Sequence, residues 1–310
     1  MLQLVEIDPG TSGADARWTA IDAEGQPVSG CSLWWSGTPQ HAGQRLGVIG
    51  QYSARDHDAG RFLLDGICGV LASCGCTLAV GPMDGNTWRS YRFVTDRGAE
   101  PPFFLEPDHP DDWPSHFAAN GFQTLSTYNS SLNGRLRRED EAVTAAGRRL
   151  ALTGVMLRAL EIGRLHDELR GIYAVALGAF RPAFLFSPLS EAAFVAMYEQ
   201  MAPRIVPELV LVAEREGMPV GFVFSVPDYL QAGRGEPVTT IVIKTIAVLP
   251  DRRLGGLGRL LAWECEQRAA ALGFTRSIHA LMPARSKSAN ISRDHAIIFR
   301  HYALLARALG

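Results

Sequence analysis

Apolar residues along this chain fall into short strand-like runs and longer stretches with helical spacing, and the order of these runs repeats. Residues 17–21 and 31–35 flank Glu24-Gly25-Gln26-Pro27-Val28-Ser29-Gly30, and residues 209–213 and 222–225 flank Glu216-Gly217-Met218-Pro219-Val220-Gly221. Each glycine-containing segment predicts a hairpin turn between two strands. Further on, Gly60-Arg61-Phe62-Leu63-Leu64 matches Gly258-Arg259-Leu260-Leu261, and Cys74-Gly75-Cys76-Thr77 matches Leu272-Gly273-Phe274-Thr275. These two matches share one offset of 198 residues, from Gly60 to Gly258 and from Gly75 to Gly273. The spacing of Leu63, Ile67 and Leu71, and of Leu261 and Cys265, predicts a helix in each copy. Gly75 and Gly273 fall where a helix end takes positive φ, and an apolar strand follows at 77–80 and at 277–282. The pattern predicts two duplicated α/β domains, residues 1–134 and 150–310, with the polar, charge-rich segment 135–149 as linker. After the linker come a strand at 154–160, a helix at 162–177, and a second helix at 190–201 that Ser190 caps and Pro203 stops.

The segment with the clearest chemistry is Thr239-Thr-Ile-Val-Ile-Lys-Thr-Ile-Ala-Val-Leu-Pro250 followed by Asp251-Arg-Arg-Leu-Gly-Gly-Leu-Gly258. The β-branched run predicts a buried strand ended by Pro250. Gly255, Gly256 and Gly258 then open a helix whose first N–H groups lack intrahelical partners, so a diphosphate can approach the backbone closely along a favourable dipole. Arg253 adds a charged donor at the rim. By spacing alone a structural glycine turn or a dinucleotide loop also fits. The dinucleotide reading lacks its acidic residue, because 276–281 contains none.

Val248-x-Pro-x-x-Arg253-x-x-Gly256-x-Gly258 resembles the pyrophosphate-binding motif of the Gcn5-related N-acetyltransferase (GNAT) superfamily, Q/R-x-x-G-x-G/A, preceded by its fourth strand. The resemblance covers residues 150–310 well and residues 15–130 faintly. It implies two tandem GNAT-like domains, each a twisted mixed β-sheet flanked by helices, with a degenerate N-terminal copy. It implies acetyl-CoA or another acyl-CoA as cosubstrate, with no metal. Main-chain groups of Ile246 and Val248 would bond the pantetheine arm, and the N–H groups of Arg253, Leu254, Gly255, Gly256, Leu257 and Gly258 would wrap the diphosphate. Asn290 would lie against the pantetheine. The parallel strands would splay past Ala247, admitting a thioester to attack by an amine. The family commonly carries a tyrosine seven residues after that asparagine; here Ile297 stands there, and Tyr302 is the nearest substitute as general acid.

At the 198-residue offset, Arg253–Gly258 corresponds to Arg55-Asp56-His57-Asp58-Ala59-Gly60. Asp56 and Asp58 would repel a diphosphate, so this half is expected to bind no CoA. Its loop Gly81-Pro-Met-Asp-Gly-Asn-Thr-Trp-Arg-Ser-Tyr-Arg92 reads either as the lining of a polar groove or as a surface helix over 87–93. His279, on the strand beside the motif strand, is the candidate base, against the commoner role of a satisfied buried histidine. His295 and His301 read as solvent-facing, as do Glu214 and Glu216. Lys244, inside an apolar strand, reads either as a buried lysine needing a partner or as a stem reaching the surface.

Composition narrows the partners. A net charge of −2 gives no global reason for nucleic acid or an anionic membrane as partner. No apolar run approaches the length of a membrane span, and the first residues lack signal-peptide character, which predicts a cytoplasmic protein. Five cysteines without framework spacing agree with a reducing compartment, and Cys74-Gly-Cys76 has no second ligand pair nearby to make a metal site. The leading expectation is an enzyme moving an acyl group to the amine of a small polar metabolite or amino-acid derivative. Two others stand beside it. One is a non-catalytic CoA-binding or sensing protein. The second is an aminoacyl transferase using charged tRNA, whose basic channel would be Arg135, Arg137, Arg138, Arg148 and Arg149.

Overall fold

The computed structural model describes residues 1–284, 291 and 294–310. In chain order the first half contains β1 (Gln3–Ile7), β2 (Ala16–Ile21), β3 (Pro27–Trp34), β4 (Gln40–His41), β5 (Gln44–Ala54), α1 (His57–Ser73), β6 (Leu78–Gly81), β7 (Phe93–Asp96), α2 (Trp113–Ala119) and β8 (Gln123–Asn133). The second contains α3 (Glu141–Leu152), β9 (Val155–Ala159), α4 (Leu165–Phe180), α5 (Glu191–Glu199), β10 (Val210–Arg215), β11 (Met218–Pro227), α6 (Tyr229–Gly233), β12 (Thr240–Val248), α7 (Leu257–Ala271), β13 (Arg276–Pro283) and β14 (Ile297–Ala308). The repeat holds in space: α1 and α7 occupy equivalent places, each followed by a positive-φ glycine, Gly75 and Gly273, and then by β6 or β13.

All but the short β4 join one mixed sheet, whose path runs β1-β2-β3-β5-β6-β14-β8-β13-β12-β11-β10-β9, with β7 pairing β14 at the side. The order in its middle means that the halves exchange their last strands. β8, which closes the first half in sequence, lies antiparallel to β13 (Ser277 opposite Asn133). β14, which closes the second, lies between β6 and β8 (Leu305 opposite Gly81, Tyr302 opposite Tyr128). In the second half the two-residue period sorts side chains onto opposite faces. Val210, Val212, Phe222 and Phe224 pack under α4 and α5. Leu209, Leu211, Ala213 and Val223 pack under α7.

Two segments differ from expectation. Part of the predicted linker is α3, with Asp140 accepting from the Val143 amide at its start. Val143 and Leu150 are its buried stripe, and charged residues on the other face hid that stripe in the sequence. Residues 87–93 form no helix. Met83 bridges to Tyr91, and Trp88 turns its ring toward Phe180, Phe186 and Phe194.

Glu266, fully buried on α7, ties the exchanged strand to its host. It accepts from Ser277 Oγ (2.6 Å) and His279 Nε2 (2.9 Å) on β13, from Asn133 Nδ2 (2.8 Å) at the end of β8, and from Arg138. Burial alone would raise its pKa; the hydrogen bond and charge of His279, with Arg138 and Ser277, hold it well below the usual carboxylate range. Among the described residues, no helix is long and apolar enough to cross a membrane.

Leu304→Ala on β14, where Leu304 is fully buried, should cost about 2–5 kcal/mol. Because β14, a strand of the second half, pairs with β6 and β8 of the first, hydrogen exchange should speed up in β6, β8 and β14 together rather than in one half. Glu266→Gln should destabilise by about 3–5 kcal/mol at neutral pH in urea unfolding, by leaving Arg138 without its partner. A carboxylate depressed on folding contributes stability above its unfolded pKa of roughly 4.3 and loses it in acid. The gap between wild type and variant should therefore narrow as the pH falls below that value.

Candidate functional site

The site begins where two parallel strands part. β12 and β13 pair from Thr240 opposite Arg276 to Ile243 opposite His279 and no further. The parting comes four residues before the expected point, Ala247, because β12 bulges: Phe224 faces Thr245 while Ser225 faces Ile243, leaving Lys244 as the extra residue. From there, among the described residues, β12 keeps only its β11 neighbour. The Leu249 amide donates to Val220 O on that side (2.9 Å). With a period of two, Ile246 and Val248 turn their N–H and C=O groups toward the gap, as a β-type contact with a pantetheine requires.

At the end of β12, Asp251 caps a single 3-10 turn (Arg252–Leu254) before Gly256 starts α7. This turn uses some of the predicted donors itself. The Arg253 amide donates to Asp251 Oδ1 (2.9 Å), Leu254 to Asp251 O (3.0 Å) and Gly255 to Arg252 O (3.2 Å). Among the described residues, the N–H groups of Gly256, Leu257, Gly258 and Arg259 are the ones left for an anion. Gly256 has φ +85°, and a Cβ there would meet the Ala146 Cβ of α3 at 3.1 Å. Gly258 has helical space around it, the nearest atom to a Cβ being 3.7 Å away. The exposed Arg253 side chain folds onto Asp251 (2.8 Å), and its hydrogen bond holds that carboxyl down at about 2. Arg149 of α3 donates to Gly255 O, which brings a second cation to the loop that the sequence did not assign there.

On the other side of the gap lies a cavity of about 540 Å³ between the halves. The second half contributes Lys244, Thr245, Ile246, His279 and the aromatic ends of α4 and α5; the first contributes the 87–92 loop, Leu105–Pro107 and the β8 residues Ser126 and Tyr128. Lys244 Nζ donates to Leu105 O (3.1 Å). Burial, reinforced by the charge of Arg92 and opposed by Glu106, lowers its pKa to about 7. Glu106 accepts from Tyr302 Oη (2.5 Å) and faces Arg300 Nε (3.4 Å); burial raises its pKa, against the pull of those two partners. Arg92, itself buried, stacks between the rings of Tyr91 (3.7 Å) and Tyr128 (3.9 Å).

The predicted acid–base residues take supporting places. His279 lines the cavity, with Nε2 committed to Glu266. Tyr302 does not line it: its hydroxyl is buried between Ser130 (2.9 Å) and Glu106, with its pKa pushed up by burial and by that carboxylate. Asn290 lies outside the described residues. His295, expected to face solvent, packs 5.8 Å from the His279 ring, and burial with the Arg138 charge lowers its pKa to about 4. Glu266, His279 and His295 stand close enough to suggest a metal cage, but Arg138 already occupies the carboxylate. Glu214, expected in solvent, pairs with Arg158 (2.6 Å). Arg137, Arg138 and Arg149 of the basic cluster bond to α7 and its loop rather than forming a free channel. Glu106 was missed because nothing in a proline-rich loop marks it as buried.

Among the described residues, the first half has no such gap. Beyond Val48 opposite Val80, the strands stay bound by the Met83 amide to Ile49 O (2.8 Å) and the Gln51 amide to Asp84 Oδ1 (2.7 Å). Gly50 permits this, since a Cβ there would sit 2.1 Å from Met83 O. Asp56 occupies the start of α1, accepting from the Ala59 amide (2.9 Å), where the second half offers free donors.

The Acetyltransferase (GNAT) family model matches residues 172–290. No curated protein matches the sequence. Solved structures share the fold, among them the following three. One is a tandem GNAT protein from the clavulanic acid biosynthesis pathway (12% identical, TM-score 0.54, covering 100% of this chain and 99% of that one). Another is a GCN5-related N-acetyltransferase from Sphaerobacter thermophilus (13%, 0.53, 94% and 80%). The third is the GCN5-related glucosamine N-acetyltransferase region of a fungal multi-domain GH3 β-N-acetylglucosaminidase (11%, 0.59); it covers 99% of this chain, which spans 38% of that longer one. Residues 172–290 thus match the GNAT acetyltransferase family, and the fold of the chain is that of a tandem GNAT protein.

Proposed function

We propose that the protein is an acyl-CoA-dependent N-acyltransferase in which the second half binds the donor and the first completes the acceptor pocket. The observation that carries this reading is the parting of β12 from β13 after Ile243, with a glycine loop at one end of the opened edge and a cavity on its far side. The free amides of Gly256, Leu257 and Gly258 receive the diphosphate, with Arg253 and Arg149 at its rim. The edge of Ile246 and Val248 holds the pantetheine, and an N–H on the same edge faces the thioester oxygen as charge develops there. Glu106 is the general base. Burial raises its pKa and so makes its ionised form a stronger base than an exposed carboxylate, and Tyr302 fixes its orientation. His279 is a positioning residue, held by Glu266.

Gly258→Asp tests the donor site. The second position of α7 tolerates a Cβ and favours a carboxylate in stability, while the new charge faces the diphosphate. Titration calorimetry should show one-to-one binding of acetyl-CoA to the wild type and a weakening of about 100-fold in the variant, with melting unchanged or raised. A folded wild type that binds no acetyl-CoA overturns the reading. Once an acceptor is in hand, Glu106→Gln should lower kcat by about 10²–10⁴ and abolish the acid limb of the pH–rate profile. That limb should lie above the ordinary carboxylate range, since burial raises the pKa of Glu106.

A further inference from the structure

Lys244 sets the problem. It sits at the bulge of β12, half-buried, in a cavity with aromatic rings along one wall, and among the described residues its one bond is to a neutral carbonyl, Leu105 O. Among the described residues, no carboxylate lies within ion-pair distance of it. A cation in such surroundings is costly unless an anion joins it. The carboxylate next in sequence to that carbonyl, Glu106, is engaged instead by Tyr302 and Arg300 on the far side. The cavity floor thus holds a cation and, beneath it, a carboxylate that does not pair with that cation, with the guanidinium of Arg92 adding positive charge.

The walls are of the opposite character. Trp88 packs edge-on to Phe180, Phe186 and Phe194 at centroid distances of 5.6–6.0 Å. Its only polar atom, Nε1, donates outward to Ser187 O (2.8 Å), which leaves the ring system apolar toward the cavity. A volume of about 540 Å³ lined this way exceeds what a small polar amine fills.

We propose that the acceptor is an amino acid or short amino carboxylate with an aromatic or large apolar side chain. Lys244, backed by Arg92, holds its carboxylate; Glu106 takes its ammonium; Trp88, Phe180 and Phe194 surround its side chain. Resting on the acyltransferase reading, the reaction follows. The ammonium gives one proton to Glu106, and the neutral amine forms a C–N bond to the thioester carbonyl as the C–S bond breaks. The thiolate takes the second amine proton, and Glu106 returns the first to solvent. A long acyl chain from the donor is the competing occupant, but it would leave Lys244 and Glu106 facing hydrocarbon.

The test compares direct titrations of L-phenylalanine, L-alanine and 2-phenylethylamine into the full-length protein, with acetyl-CoA titrated in parallel. Phenylalanine should bind about 100-fold more tightly than alanine, from burial of its ring, and at least tenfold more tightly than phenylethylamine, which lacks the carboxylate. Lys244→Met should weaken phenylalanine and erase its advantage over phenylethylamine; Trp88→Ala should erase its advantage over alanine. Acetyl-CoA binding without phenylalanine binding overturns this inference and leaves the acyltransferase reading standing. Phenylalanine binding without acetyl-CoA binding overturns the acyltransferase reading and with it the acceptor role, leaving the cavity as a binding site for an aromatic amino acid. Equal binding of phenylalanine and alanine, or displacement of phenylalanine by octanoyl-CoA but not by acetyl-CoA, assigns the cavity to another occupant and also overturns it.

Discussion

The structure depends on the exchange of two strands. A β-strand buried in the middle of a sheet must pair on both edges, because unpaired backbone groups there are expensive. In this chain neither half supplies its own last neighbour. β14 fills the place between β6 and β8, and β8 fills the place between β14 and β13, so the sheet runs through both halves without a seam. The cavity sits at this junction, and its floor and walls are fixed by hydrogen bonds that cross it, among them Lys244 to Leu105 and Arg92 to Leu281 (2.7 Å).

The duplication makes an internal control. Both halves have a parallel strand pair joined by a helix, yet among the described residues only one opens. In the first, Gly50 lets the Met83 carbonyl approach β5, Asp84 caps the exposed amide of Gln51, and Asp56 fills the helix start. In the second, a bulge at Lys244 turns the strand away, and glycines stand where the first half has Asp58 and other side chains. Two copies of one motif thus differ in a few local contacts, and those contacts decide which edge is left for a ligand.

The buried charges follow a division of labour. Glu266 collects donors from two strands and a loop and is held ionised, so it serves the framework. Glu106 and Lys244 are both shifted toward neutrality by burial and border the cavity, the arrangement expected of groups that exchange protons or meet charged ligands. His279 belongs to the first set although it borders the second.

The sequence by itself determined the repeat, the hairpins, the helix ends at Gly75 and Gly273, and the strand-and-glycine segment 239–258. All of these rest on residue spacing or on the φ preference of glycine, which are local properties. It also marked the degeneration of the first copy, since Asp56 and Asp58 are legible as charges. Tertiary structure alone decided the strand exchange, the helical packing of 141–152 against α7, the parting point at Ile243, and the meeting of Glu106 with Lys244. Pairing partners far apart in sequence leave no periodic trace, and a carboxylate in a loop looks the same in the sequence whether water or an aromatic cavity surrounds it.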